Sequence, residues 1–213
     1  MRDRPDDRTL QNAVSRLRRG GVIAIPTETF YGLAADAANP EAMERVNLLK
    51  GKPRDAPVLL LAADLLQVAK VADVDVPRCR ELTKAFWPGP LTLVLPARPG
   101  VPRPARDARG TVAVRVADAS WPQALAEGLG GPITGPSANP HGAPPPRTAA
   151  EVRDAFGEAL DAIVDGGRTP GGAPSTLLDL SGPRPRILRR GAVSDESLLR
   201  VFPADAETDD FPA

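Results

Sequence analysis

Histidine and cysteine are almost missing from this chain: His141 and Cys79 stand alone among 213 residues. A single cysteine cannot form an internal disulfide, and neither residue has the companions that a cysteine or histidine metal site needs. His141 lies between proline and glycine and reads as a loop residue, not a general base, so histidine-dependent nucleophilic catalysis is set aside. Net charge is missing too. Lys and Arg number 27 against 27 Asp and Glu, which argues against a protein held to nucleic acid by bulk charge. No apolar run approaches the length that spans a bilayer, and Met1 to Arg8 is charged and lacks an apolar leader core. The expectation is a soluble cytoplasmic protein with no membrane partner, whose chemistry rests on hydroxyls, ammonium and guanidinium groups, carboxylates or a bound ion.

What is present is enough for one sizeable core, with 42% apolar and 25% charged residues. The 25 prolines and 19 glycines fall between apolar runs, as turns and rigid loops. With no internal repeat and no shift in composition, residues 1–203 are expected to form one domain, and the acidic residues 204–213 a disordered tail.

The stretch Gly20 to Asp36 organises this reading. A glycine pair leads into the apolar run Val22 to Ile25, which Pro26 stops, as in a buried strand. Thr27, Glu28, Thr29 and Tyr31 follow as a polar turn at the carboxyl end of that strand, where open α/β sheets bind ligands. Before it, Leu10, Val14 and Leu17 recur at helical spacing over Asp7 to Arg19; after it, Asn39-Pro40-Glu41 caps a helix running to Lys50. Further strands are expected at Val58 to Leu61, Leu91 to Leu95, Thr111 to Val116, after Pro132, at Ala162 to Val164, Thr176 to Leu180 and from Ile187. Helices are expected at Asp64 to Val71, Arg78 to Phe86, Gln123 to Glu127, Thr148 to Phe156 behind a capping box, and Asp195 to Phe202. Trp87, in an aromatic-proline turn, reads as a core anchor. Several connections are too short for a helical crossover, so the fold class is α/β with a mixed, twisted sheet.

Four places carry unusual chemistry. Lys50, Lys52 and Arg54 put three cations within five residues on one loop, suited to a polyanion and equally to a solvated helix end. Arg115 interrupts an apolar strand and needs a partner, such as a bound carboxylate or phosphate. Ser137 and Asn139 bring a hydroxyl and an amide to one turn, for phosphate oxygens or for the turn itself. Arg98, Arg103, Arg106 and Arg109 make a long basic loop, either a lid, a nucleic-acid contact or a solvated surface.

Taken in order, Pro26-Thr-Glu-Thr-Phe-Tyr-Gly-Leu, Lys50-Gly-Lys-Pro, Phe86-Trp-Pro-Gly-Pro-Leu-Thr, Val112-Ala-Val-Arg115, Pro136-Ser-Ala-Asn139, Ser175-Thr176 and Leu188-Arg189-Arg-Gly191 resemble the YrdC/Sua5 family of threonylcarbamoyl-adenylate synthases. The likeness runs from about Leu10 to Phe202. It implies a YrdC-like mixed twisted sheet with flanking helices and a concave basic pocket. It also implies an enzyme, a nucleotidyltransferase, that joins L-threonine, bicarbonate and ATP into threonylcarbamoyl-AMP with release of pyrophosphate, for the modification of adenosine 37 in tRNA by a downstream threonylcarbamoyl transferase complex.

Carried over by position, Thr27, Tyr31, Arg115 and Ser175 would bind threonine, with Arg115 on its carboxylate. Lys50, Lys52, Arg54, Thr111, Ser137, Asn139 and Arg189 would bind ATP, and Lys50, Lys52 and Arg115 would stabilise the developing charge. No carboxylate cluster resembles a metal cage, so Mg2+ is expected to be held mainly by ATP and water. Lys52 departs from the family's Lys-x-Arg-Pro, keeping the charge and losing the planar fork, and Ala56 stands where relatives often carry Asn or His. An RNA-binding YrdC-like protein, or a paralogue without synthase activity, is the rival reading. The hydrogenase-maturation carbamoyltransferases share the module, but they need further domains and zinc-binding cysteines.

Overall fold

The computed structural model describes residues 5–201. Within them Asp6 caps helix α1 (Asp7–Arg18), its carboxylate accepting from the Thr9 amide at 2.9 Å. Ala13, Val14 and Leu17 form the buried stripe of that helix. Gly20, at a φ of 78° that favours glycine, turns the chain toward β1 (Ile23–Pro26), which is buried at every position. The chain then folds back as β2 (Tyr31–Ala34), antiparallel to β1 with Pro26 opposite Tyr31. This corrects the sequence reading, in which Tyr31 belonged to the polar turn. A four-residue strand with Gly32 inside it has no room to display alternation.

Asn39 caps α2 (Pro40–Leu49) by accepting from the Ala42 amide, with Pro40 in its first turn. The remaining elements are β3 (Leu60–Ala62), α3 (Leu65–Val71), α4 (Cys79–Phe86), β4 (Leu91–Pro96), β5 (Thr111–Val116), α5 (Ser120–Leu129), β6 (Ile133–Thr134), α6 (Ala149–Phe156), β7 (Ala162–Ile163), β8 (Thr176–Asp179), β9 (Arg186–Arg189) and α7 (Asp195–Leu199). Thr148 caps α6 from the Glu151 amide, while the Glu151 carboxylate reaches back to the Arg147 amide at 2.6 Å. Trp87 packs against the largest core cluster and donates its indole N–H to the Leu91 carbonyl at 2.6 Å, as an anchor should. The last helix ends at Leu199, short of the expected Phe202; Phe202 and the acidic tail lie outside the described residues. Among the described residues, no helix is long and apolar enough to cross a membrane.

The strands form two sheets, not one. The smaller has the order β2-β1-β7 and the larger β6-β3-β5-β4-β8-β9, each mixing parallel and antiparallel pairs. Sequence patterns specify strands, whereas which strands pair is set by long-range docking. The sheets meet where β2 is laced to the segment after β6. There Leu33 donates to the Pro136 carbonyl at 2.8 Å, Ala138 donates to the Tyr31 carbonyl at 2.7 Å, and Gly32 bridges Ser137.

Alternation along the larger sheet divides it into two kinds of face. Leu91, Leu93 and Leu95 of β4, Val112, Val114 and Val116 of β5, and Leu178 of β8 join Val68, Leu82 and Leu198 of α3, α4 and α7 in one apolar cluster. The residues between them, Thr92, Val94, Thr111, Ala113, Arg115 and Leu177, line a cavity on the other side. A further cluster seats α1 and α5 against β1 through Leu17, Leu125, Ile23 and Ile25. Leu17 is fully buried there. Leu17→Ala is expected to lower stability by about 2–5 kcal/mol, read as a shifted midpoint in urea unfolding. A loss under about 0.5 kcal/mol would mean that α1 is not docked as described.

Candidate active site

The cavity, ≈ 470 Å³, is enclosed by the larger sheet's polar face, the turn between β1 and β2, the loop after α2, the segment after β6 and the Pro174–Ser175 approach to β8. Its wall includes Thr27, Tyr31, Lys50, Lys52, Thr111, Arg115, Ser137, Ser175 and Arg189, all of them expected site residues. Arg54 and Asn139 are not part of that wall. The Arg54 side chain is 68% exposed and pairs with Glu44 at 3.2 Å, while Asn47 anchors its backbone carbonyl. Asn139 is buried and donates to the Pro140 and Ala143 carbonyls, so its amide holds its own loop; its Oδ1 is buried without a partner.

Lys50 sits at the C-cap of α2, and its ammonium donates to the carbonyls of Ser137 at 2.6 Å and Asn139 at 2.8 Å. Its own carbonyl accepts from the His141 amide at 2.9 Å. The lysine thus clamps the Ser137–Asn139 loop from both ends and keeps a third N–H for the cavity. Burial, with help from the neighbouring charge of Lys52, pushes its pKa down to about 8.

Thr27 is committed to its own turn. Its hydroxyl donates to the Phe30 carbonyl at 2.7 Å and accepts from the Thr29 and Phe30 amides, so its proton and both lone pairs are engaged within the turn. Tyr31 is fully buried, and its phenol donates to the Gly167 carbonyl at 2.8 Å while accepting from the Gly166 amide. Burial raises its pKa. At the neighbouring end of the wall, Ser175 shares a hydrogen bond of 2.8 Å with Thr92. Arg189 donates to the Ser175 carbonyl at 2.9 Å and to its hydroxyl at 3.2 Å. Desolvation, and then the nearby charge of Arg115, lower the Arg189 pKa.

Arg115 has its partner within the protein. Its Nη1 donates to Oε1 of Glu28, and the two side chains are 5% and 11% exposed. The sequence places Glu28 only in the polar turn after the first strand, and its position among turn formers carries no sign of an ion pair 87 residues away. Glu28 itself is not among the residues that line this cavity, whereas the polar wall residues Thr29, Asn47, Thr92 and Asp107 are, without having been expected in the site. Of the basic loop, only Arg109 reaches the wall. Its guanidinium is braced between Asp107 and the buried Asp179, at 2.9 Å from each. Arg98 and Arg103 pair with Asp73 and Asp55 at the surface instead. Among the described residues, no three His, Cys, Asp or Glu side chains gather where they could hold a metal ion.

Comparison with known proteins gives this arrangement a context. The Sua5_yciO_yrdC family model, described as telomere recombination, matches residues 15–191. A threonylcarbamoyl-AMP synthase of Pyrococcus abyssi is 38% identical over 202 residues, covering 95% of this chain and 59% of the relative. The chain therefore spans about three-fifths of that relative's length. The crystal structure of P. abyssi Sua5 complexed with L-threonine superposes with a TM-score of 0.89 over 95% of this chain and 59% of that one, at 38% identity. E. coli YciO matches with a TM-score of 0.82 at 31% identity, covering 90% of this chain and 93% of YciO.

The wall near Ser175 depends on one close approach. A Cβ at Gly191 would lie 2.3 Å from the Pro174 carbonyl oxygen and 2.6 Å from backbone atoms of Ser175 and Thr176. Gly191→Ala must therefore push the chain after β9 away from Ser175 and with it loosen Arg189. The expected result is a folded protein destabilised by about 1–3 kcal/mol, with weakened ligand binding; unchanged stability and binding would show that this approach is dispensable.

Proposed function

This chain belongs to the Sua5–YciO–YrdC family, and we propose that it is an L-threonylcarbamoyladenylate synthase, a nucleotidyltransferase that joins L-threonine, bicarbonate or CO2 and ATP into threonylcarbamoyl-AMP and pyrophosphate. The observation that carries this reading is that one cavity gathers two groups of cations. Arg115 and Arg189 line it with Ser175 and Thr92, a setting for an amino-acid carboxylate. Lys50 and Lys52 line it with Ser137, a setting for phosphates. Along β5, Arg115 and Thr111 are four residues apart, about 13 Å, which suits an amino acid and a nucleotide side by side. The L-threonine bound to P. abyssi Sua5 supports the first assignment.

The chemistry asks little beyond placement. The lone pair of the threonine amine attacks the carbon of CO2, an N–H proton passes to water, and a carbamate forms. A carbamate oxygen then attacks the α-phosphorus in line, and the bond to pyrophosphate breaks. Both reactants are anions by then, so the chain's contribution is to hold them together against their repulsion. Lys50 and Lys52 meet the phosphoryl oxygens and Arg115 and Arg189 the carboxylate. ATP enters as its magnesium complex, with Mg2+ held mainly by the nucleotide and water. The product would pass to a transferase that acts on tRNA.

Incubation with ATP, threonine and bicarbonate is expected to release pyrophosphate only when threonine is present, with threonylcarbamoyl-AMP detectable by mass spectrometry; no product at saturating substrates would refute the reading. Lys50 supplies a second test. Because its folded pKa is about 8, the cation is present below that pH and lost above it. Affinity for a non-hydrolysable ATP analogue should fall as pH rises past 8, by up to about tenfold per unit, with proton uptake on binding. A flat profile by calorimetry would remove the Lys50 charge from nucleotide binding.

A further inference from the structure

Glu28 and Arg115 come from different sheets. Arg115 points to the cavity side of β5 because its neighbours Val114 and Val116 point into the core. Glu28 comes from the turn that follows β1, and that turn is held firmly. The Thr27 hydroxyl bonds to three of the turn's backbone groups, and Gly171 donates to the Thr29 carbonyl at 2.7 Å. The pair therefore spans the gap between the sheets with a rigid support on each side.

Its geometry is not that of a stabilising clamp. A planar guanidinium and a carboxylate satisfy each other best through two parallel hydrogen bonds. Here one bond is made, and Nε of Arg115 and Oε2 of Glu28 are both buried without partners. Buried ion pairs with unmet groups are poor contributors to stability, and orphaned polar atoms in a native fold ask for another explanation. A like charge stands close by: Arg189 faces the same end of the cavity, near enough for the Arg115 charge to be felt there. Without an anion between the sheets, two guanidinium groups at one end of a cavity would push apart.

We propose that Glu28 is a positioning residue for the amino-acid substrate: it holds Arg115 from one side, so that the remaining donors of the guanidinium stay turned to the cavity, where they receive the substrate carboxylate. Glu28 acts through Arg115 and makes no contact with threonine itself. This rests on the synthase reading above, in which Arg115 binds that carboxylate.

The test is a double-mutant cycle read by steady-state kinetics for each substrate. Glu28→Gln keeps the shape and one acceptor and removes the charge; Glu28→Asp keeps the charge and shortens the reach. Glu28→Gln is expected to raise KM for threonine about tenfold with KM for ATP nearly unchanged, and Glu28→Asp to recover part of that loss. In an Arg115→Gln background, adding Glu28→Gln should bring no further loss, because the group it positions is gone. The proposal is overturned if Glu28→Gln leaves threonine KM at the parent value, if it raises both KM values alike, or if its effect is the same in the two backgrounds. Failure of both Glu28 variants to fold would also overturn it, by making the pair structural. A parent protein that binds threonine by calorimetry but makes no product refutes the synthase reading alone, and the comparison then proceeds on threonine Kd. A parent that does not bind threonine overturns both.

Discussion

Successive residues of a β-strand face opposite sides, and in this protein that single constraint separates stability from chemistry. Thr111-Val112-Ala113-Val114-Arg115-Val116 is the clearest case. Its valines are buried in the largest apolar cluster, and the three residues between them line the cavity. The same division runs through Leu91 to Leu95, where Thr92 and Val94 alternate with three core leucines. A slip of one residue in β5 would bury Arg115 among leucines and leave the valines in the cavity, so the core and the site enforce each other's register.

Charge in the site is held in place by charge or by carbonyls, and seldom left to solvent. Lys50 is held by two carbonyls, Arg109 by two carboxylates, Arg189 by Ser175 and Arg115, through a single hydrogen bond, by Glu28. The partners of Lys50 and Arg115, and Asp179 beside Arg109, come from segments 70 or more residues away, so these cations are fixed by the assembled fold and not by their own loops. Cations held in advance by the fold need no reorganisation when an anion arrives, which is the condition under which electrostatic stabilisation is strongest. The cost appears in the depressed Lys50 pKa, which comes from burying an ammonium beside Lys52.

Local signals in the sequence are legible where the physics is local. Asn39 and Thr148 cap the helices they announce, since a cap needs only a side chain within three residues of its amide. Trp87 is the anchor its aromatic-proline setting implied. Two sheets in place of one, the strand beginning at Tyr31, and the pairing of Glu28 with Arg115 were not legible. Arg54 belonged to the same basic cluster as Lys50 and Lys52 in sequence, yet it turns to Glu44 at the surface. Spacing along a loop does not decide which way a side chain points once the loop has no regular period.

The amino-acid sequence by itself determined the elements, the family likeness and most residues of the candidate site, because propensity, capping and short motifs are encoded within a few positions. Only the tertiary structure decided what each of those residues touches. The Lys50 ammonium met Ser137 and Asn139, the Thr27 proton went to Phe30, and the partner that Arg115 required was Glu28, because contacts between distant segments follow from packing two sheets together and no local pattern records them.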